Sequence, residues 1–238
     1  YESHGIRKYG FHGASHRYVS ERTAELLGRS REALRIVSCH LGGSASVCAI
    51  RNGKSVDTSM GFSPQDGIIN ATRNGSLDPF VLLYMMDQAG LSTEEAVKTL
   101  CEQSGLLGIS GISGDVPDLE QARDEGNDRA RLAIEAFCYG VKKEIGAMAA
   151  VLGGIDALVF TGGTGERGTS IREQICTGLQ GLNIRLETDR NRTEKADCSV
   201  SVPGSPVEIL IIKTDEERIV AREVMSFLQS PDFASPSR

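Results

Sequence analysis

No apolar run in this 238-residue chain is long enough to cross a membrane. The longest, around Ala147 to Phe160, is broken by Gly153, Gly154 and Asp156 and falls short of the ~20 residues a spanning helix needs. Basic charge is not in excess either: 26 Lys and Arg stand against 32 Asp and Glu, a net charge of −6. That balance argues against a nonspecific hold on nucleic acid or on an anionic membrane. Cysteine pairs are missing. Cys39, Cys48, Cys101, Cys138, Cys176 and Cys198 stand singly, with no CxxC and no framework spacing, so they read as reduced thiols in a cytoplasmic protein. No secretory signal accompanies the N-x-S/T triplets at Asn70, Asn74 and Asn191, which makes them chance matches rather than glycan sites. The first residue is Tyr1 rather than Met, and the expectation is a piece of something longer.

What the chain does contain is a globular composition, 39% hydrophobic and 24% charged, with 27 glycines that cluster rather than repeat. Segment SHRYVSERTAELL, Ser15 to Leu27, predicts a helix with Ser15 as N-cap and Gly28 as its stop. LRIVSCHL, ASVCAIR and SVDTS predict three antiparallel strands, the last two joined by the tight-turn dipeptide Asn52-Gly53. Asp78-Pro79 opens a helix ending at Gly90, and Leu91 to Cys101 follows with Glu94 and Glu95 near its positive end. Gly105 to Gly114 reads as a glycine-rich loop. Asn127 to about Leu152 carries Leu132, Ile134, Phe137, Val141, Ile145, Met148 and Val151 at helical spacing and predicts a long core helix. A buried strand from Ala157 to Phe160, a glycine loop, a helix over Ile171 to Leu179, a strand VEILIIK, a helix over Asp215 to Leu228 and a mobile tail over Gln229 to Arg238 complete the order. A meander followed by strand and helix alternation implies one mixed sheet covered by helices, an α/β layer fold.

Several segments hold residues suited to chemistry. In GFHGASH, His12 and His16 are four apart, yet Gly13 lies between them and no HExxH is present, so the plain reading is a glycine turn entering a helix. HLGGSAS sits at a hairpin tip where Gly42 and Gly43 allow close backbone approach; it reads equally as a phosphate cradle or a bland turn, and it lacks the lysine of a P-loop. The loop from Asp57 to Pro79 contains a single arginine, Arg73, whose planar fork suits phosphate oxygens and which reads equally as a solvated surface charge; Asp57 and Asp66 could support a metal or cap local turns. VFTGGTGERG follows a buried strand directly, the usual place for a nucleotide in an open α/β sheet. It is not GxGxxG, so a mononucleotide fits better than a dinucleotide. Asp215, Glu216 and Glu217 at a strand end could hold Mg2+ or simply answer a helix dipole.

Taken in order, GFHGASHRYV, HLGGSAS, DTSMGFSPQDGIINATRNGSLDP, GLLGISGISGD, FTGGTGE and TDEE resemble the acetate and propionate kinase family of actin-like and sugar-kinase-like phosphotransferases, from Gly5 to about Met225. The resemblance implies a ribonuclease-H-like (actin-like ATPase) domain, the second half of a duplicated two-domain homodimeric kinase that moves phosphate between ATP and acetate. Residues 1–214 would be that second domain, and residues 215–238 a helix and tail packing on the amino-terminal half, which this chain lacks. By the same resemblance, Phe11 and Pro64 would form part of the pocket for the acetate methyl, and His12 would donate to the transferring phosphoryl. His40, with Gly42 and Gly43, would sit beside the nucleotide phosphates, and Arg73 would bridge acetate and the γ-phosphate. Asp115 would contact the nucleoside, Gly162, Gly163 and Gly165 would line the adenine cleft, and Glu216 would orient Mg2+.

The sequence also departs from that family. Gly43 replaces an asparagine and Ser44 a glycine, Pro117 stands where the family has an arginine that contacts nucleotide, and Arg167 replaces an asparagine after Glu166. The absent half takes with it a catalytic aspartate, a second arginine and an asparagine near the metal, so the chain alone is expected not to turn over. Two alternatives follow: a noncatalytic nucleotide-binding or dimerisation module, and a kinase of the same family with another short-chain acceptor or another phosphoryl donor.

Overall fold

A computed structural model describes residues 2–230; of the tail marked as mobile, residues 231–238 lie outside the described residues. One six-stranded sheet organises the chain, in the order β3-β2-β1-β4-β6-β5. Strands β1 (Arg35–Leu41), β2 (Ala45–Arg51) and β3 (Lys54–Thr58) form the expected antiparallel meander. Strands β4 (Ala157–Thr161) and β6 (Glu208–Ile211) run parallel to β1, and the two-residue β5 (Cys198–Ser199) closes the far edge antiparallel. The helices are α1 (Gly13–Leu27), α2 (Pro79–Gln88), α3 (Thr93–Glu102), α4 (Gly105–Ser110), α5 (Val116–Asp124), α6 (Asp128–Leu152), α7 (Gly162–Arg167), α8 (Thr169–Cys176), α9 (Thr188–Thr193) and α10 (Glu216–Leu228). This is the α/β, ribonuclease-H-like arrangement of meander and crossover helices expected from the sequence.

Strand alternation divides the core into two layers, because successive side chains point to opposite faces of a sheet. On one face Val37, Cys39 and Leu41 pack with Phe137, Val141 and Ile145 of α6. On the other, Ile36, Cys48, Ile50 and Val159 pack with Val19 of α1. Each fully buried side chain of the size of Phe137 stabilises the fold by about 1.5–3 kcal/mol. The alternation also carries polar residues inward. Ser38 and His40 share the α1 face with Ile36, and Ser46 shares it with Cys48, so the helix that buries Val19 also covers three polar side chains.

Local chemistry fixes most ends where the sequence puts them. Asn52 and Gly53 both have positive φ, 54° and 69°, as a two-residue hairpin turn requires. Asp78 accepts from the Phe80 amide with Pro79 behind it, Ser92 and Glu95 form a complete capping box, and Asn127 caps α6.

Five expectations are corrected. Helix α1 starts earlier than Ser15, and its N-cap is His12 in the left-handed region (φ 61°); Ser15 is buried instead. Gly105 to Gly114 is not a loop throughout, since Gly105–Ser110 is helical. The glycine loop after β4 is the short helix α7. The helix expected over Ile171 to Leu179 runs from Thr169 to Cys176. Leu132 and Val151, counted toward the core stripe of α6, are 55% and 46% exposed. Helices α5 and α9 and strand β5 were not signalled; α5 tolerates Pro117 because it falls in the first turn, where no intrahelical donor is lost.

Helix α10 packs back on α1, with Ile219 buried and ion pairs Arg17–Glu223 and Arg222–Glu21 at its solvent edge. Its other large apolar side chains, Val220, Val224, Met225, Phe227 and Leu228, are exposed.

Candidate functional site

The three parallel strands β1, β4 and β6 end on one rim, where Gly42-Gly43, Gly162-Gly163 and Thr214 to Glu216 follow them. Ligands in open α/β sheets bind outside such carboxyl ends. A cavity of about 400 Å3 opens there, lined among others by Gly42, Gly43, Asp115, Pro117, Gly163 and Arg167. Pro117 and Arg167 thus share one cavity. Arg167 lies across Gly163, whose added Cβ would stand 3.0 Å from the guanidinium. Asp115 precedes α5 without capping it, which leaves its carboxylate free to face the cavity.

Gly162 and Gly165 do not line this cavity and are buried beneath it. Gly162 has φ +77° and an added Cβ would meet the Leu41 carbonyl oxygen at 2.7 Å; at Gly165 it would stand 3.4 Å from the Phe160 carbonyl carbon. They let α7 pack onto β1 and β4.

Three imidazoles meet between α1 and the sheet. His12 and His40 stack with ring centroids 4.2 Å apart at 21°. His12 Nδ1 lies 2.9 Å from Ser46 Oγ, and His40 Nδ1 lies 2.8 Å from Ser15 Oγ, which also accepts from the Thr214 hydroxyl. His16 is buried with both nitrogens engaged, by Ser38 and again by Ser46. Burial holds all three rings below the ordinary histidine value of 6.5, His12 and His40 to about 4 and His16 to about 3. For His12, the His40 and Arg73 charges lower it further while Glu216 raises it, which puts Arg73 and Glu216 within electrostatic reach of the ring.

These shifts carry a stability prediction. The folded state holds neutral bases whose unfolded forms protonate near 6.5, so the unfolded chain binds more protons at lower pH. The triad's contribution is complete above pH 6.5 and is lost as pH falls toward the folded values of about 4 and about 3. His16→Gln removes one titrating group and is expected to flatten the loss between pH 6.5 and 4 by about 1.4 kcal/mol per pH unit. Urea unfolding of both forms across that range reads the difference, and parallel curves would refute it.

Arg73 reaches the same rim from the long loop after β3, with Nη1 donating to Ser44 Oγ at 3.0 Å. The loop is held by backbone bonds: the Asn70 amide donates to the Arg73 carbonyl, and the Leu106 and Leu107 amides of α4 donate to the Asn70 and Ala71 carbonyls. Gly105 makes that approach possible, since a Cβ there would stand 2.2 Å from the Asn70 carbonyl oxygen. Asp57 and Asp66 cap local turns: Asp57 accepts from the Thr58 amide and Lys8, and Asp66 from the Gly67 amide and Ser76. Asn70 and Asn191 are buried and hydrogen-bonded, in keeping with chance triplets rather than glycan sites.

Phe11 is 37% exposed and lines a second cavity of about 360 Å3 with Tyr9 and Thr58; Pro64 does not line that cavity. Glu216 begins α10, half-buried. Among the described residues it has no hydrogen bond or ion pair, and no group of three or more His, Cys, Asp or Glu could hold a metal. One uncommitted carboxylate nevertheless fits Mg2+, which binds through one or two carboxylates together with substrate phosphates and water.

Sequence reasoning missed Ser15, His16, Ser38, Ser46 and Thr214 as partners of the imidazoles. It also missed Arg172, buried and bonded to Asn191 and to the Gly165 and Glu166 carbonyls of α7. Strand alternation places Ser38, His40 and Ser46 on one face and was the available signal; nothing marks Arg172.

The Acetokinase family model matches residues 1–222. The acetate kinase of Dictyoglomus thermophilum is 50% identical over 225 residues, covering 94% of this chain and 56% of that protein. Among solved structures, Porphyromonas gingivalis acetate kinase superposes with a TM-score of 0.92 at 41% identity, over 96% of this chain and 57% of the other. A propionate kinase from Francisella tularensis gives 0.86 at 39% identity, over 92% and 56%. The chain spans little more than half the length of these relatives.

Proposed function

The chain belongs to the acetokinase family, and from that premise we propose that it is the nucleotide-binding half of a kinase transferring phosphate directly between ATP and acetate. The observation that carries this reading is the gathering of His12, His40, Arg73 and Glu216 on the rim beside the Gly42-Gly43 cavity. Acetate is already an anion at neutral pH, so the reaction needs no strong base. Its obstacle is bringing one anion against another. A carboxylate oxygen forms a bond to the γ-phosphorus as the bond from that phosphorus to the β–γ bridging oxygen breaks, giving acetyl phosphate and ADP. The Arg73 fork screens the two reactants and aligns them in line, His12 and His40 donate to phosphate oxygens, and Phe11 and Pro64 shelter the methyl. Gly42, Gly43, Asp115 and Gly163 hold the nucleotide. Mg2+, when held by Glu216 with the phosphates, supplies neutralising charge.

We further infer that turnover needs the family's other half, packed on the exposed strip of α10. The apolar residues of α2, with Phe80 73% and Leu83 57% exposed, suit a second copy of the chain. Six free thiols suit a cytoplasmic setting.

Calorimetry with ATP and trapping of acetyl phosphate as the hydroxamate test this on the chain and on a longer protein carrying both halves. Binding by both with product only from the longer one is expected, together with dimer sedimentation. Absence of ATP binding overturns the reading; turnover by the chain alone overturns the need for a second half. ATP binding without product from the longer protein would favour the noncatalytic module.

A further inference from the structure

We propose that Ser38, His16 and Ser46 form a hydrogen-bond chain of fixed direction that holds His12 as the Nε2–H tautomer, which makes His16 and Ser46 positioning residues. The purpose assigned to that proton rests on the kinase reading; the direction of the chain does not.

The constraint comes from counting protons. His16 is 4% exposed and Ser38 and Ser46 are fully buried, so water does not complete their bonding. A neutral imidazole has one N–H, so His16 donates through one nitrogen and accepts through the other. Ser46 Oγ lies 2.9 Å from His16 Nε2 and 2.9 Å from His12 Nδ1, and it owns one proton. Its two lone pairs could accept from both rings, but that would strand its own proton in a buried site, so it donates to one ring and accepts from the other.

Only two directions satisfy every bond and also use the buried Ser46 proton, for which the two rings are the only acceptors within hydrogen-bond distance among the described residues. In the first, the Ser38 hydroxyl donates to His16 Nδ1, His16 Nε2–H donates to Ser46, and Ser46 donates to His12 Nδ1. His12 then presents Nε2–H to the rim. The reverse direction presents a lone pair there.

The neighbouring ring favours the first. The Thr214 hydroxyl donates to Ser15 Oγ at 3.0 Å, which frees the Ser15 proton for His40 Nδ1 and leaves His40 with Nε2–H. That nitrogen faces the glycine tip, 4.0 Å from where a Gly42 Cβ would stand. His12 is stacked on this ring. Phosphate oxygens only accept, so a lone pair on His12 Nε2 would oppose them whereas a proton engages them.

Long-range 1H–15N spectra of the protein labelled in histidine nitrogen read the tautomers at pH 7. His12 and His40 are both expected as Nε2–H. Ser46→Ala is expected to give His12 a tautomer mixture while His40 keeps its pattern. In the protein carrying both halves, the same change should lower kcat about 10-fold or more with little change in KM for ATP, short of the ~10²–10³ of deleting a donor outright. His16→Gln keeps an amide N–H toward Ser46 and should preserve tautomer and rate, whereas His16→Phe should lose both. If the phenylalanine variant does not fold, the wild-type and Ser46→Ala spectra decide.

A wild-type His12 with Nδ1–H, or a Ser46→Ala spectrum without a tautomer change, overturns the fixed direction. A tautomer change with unchanged kcat overturns the positioning role. An Nε2–H pattern in a protein that forms no acetyl phosphate leaves the chain standing and sinks the kinase reading.

Discussion

Arg73→Ala in the protein carrying both halves is expected to lower phosphoryl transfer by about 10³-fold or more, near 4 kcal/mol of transition-state stabilisation. The guanidinium is placed before any ligand arrives, because Ser44 Oγ accepts from Nη1 at 3.0 Å and the α4 amides hold the loop beneath it. A group held in advance loses less freedom when charge builds on the transferring phosphoryl. Arg73→Lys keeps the charge without the planar fork, so it should recover only part of the lost rate. ATP affinity should change far less than kcat, because the cavity residues Asp115 and Gly163 are untouched. Steady-state rates and calorimetry on the same preparations separate the two effects. Normal turnover by Arg73→Ala would remove this residue from the mechanism.

Ser44 adds a second layer to that argument. Its hydroxyl is the group that accepts from Arg73. The neighbouring Gly43 accepts the Ala71 amide through its carbonyl and so ties the hairpin tip to the Arg73 loop. Ser44 thus reaches Arg73 through its side chain, while the Gly43 tie is made by main chain that any residue at that position would offer.

The elements legible in the sequence are those whose periodicity agrees with their burial. Strands β1 to β3 and helix α6 carry period-2 and period-3.6 patterns that tertiary packing reinforces. Helices α4 and α7 were illegible because their glycines lower intrinsic propensity, yet the same glycines are what allow contact: Gly105 against the Asn70 carbonyl, Gly162 against the Leu41 carbonyl. A glycine serving close packing and one serving ligand approach look alike in sequence: Gly162 and Gly165 are packed within α7 against β1 and β4, whereas Gly163 lines the cavity. His12 and His40 were legible as candidates, but their stacking depends on where α1 docks over the β1–β2 pair. The register that sets His40 opposite Ser46 is a property of that pair and not of either strand alone.

Arg172→Leu is expected to destabilise the fold by roughly 3–5 kcal/mol, the usual consequence of removing one partner from a buried charged network. The side chain is 2% exposed and has no salt bridge among the described residues. Its charge is instead solvated by oxygens: Nε donates to Asn191 Oδ1 at 2.7 Å, Nη2 to the Asn191 carbonyl at 3.0 Å, and Nη1 to the Gly165 and Glu166 carbonyls at 2.8 and 3.0 Å. Leucine fills much of the volume but strands those acceptors away from water, each at a cost of about 1–3 kcal/mol if left unpaired. Lysine keeps a charge but, lacking the fork, cannot reach α7 and α9 together, so Arg172→Lys should fall between the wild type and leucine. For a chain of this length about 2–4 °C is lost per kcal/mol, so leucine should lower Tm by about 10 °C. The loss should also reach the rim, because the carbonyls that Arg172 holds belong to α7, the helix that presents Gly163, and Glu166 of that helix accepts the Thr214 amide beneath the imidazoles. ATP affinity measured well below the lowered Tm should therefore fall together with stability. A Tm within 2 °C of wild type, or full ATP affinity in a destabilised protein, would separate Arg172 from the shelf it is held to support.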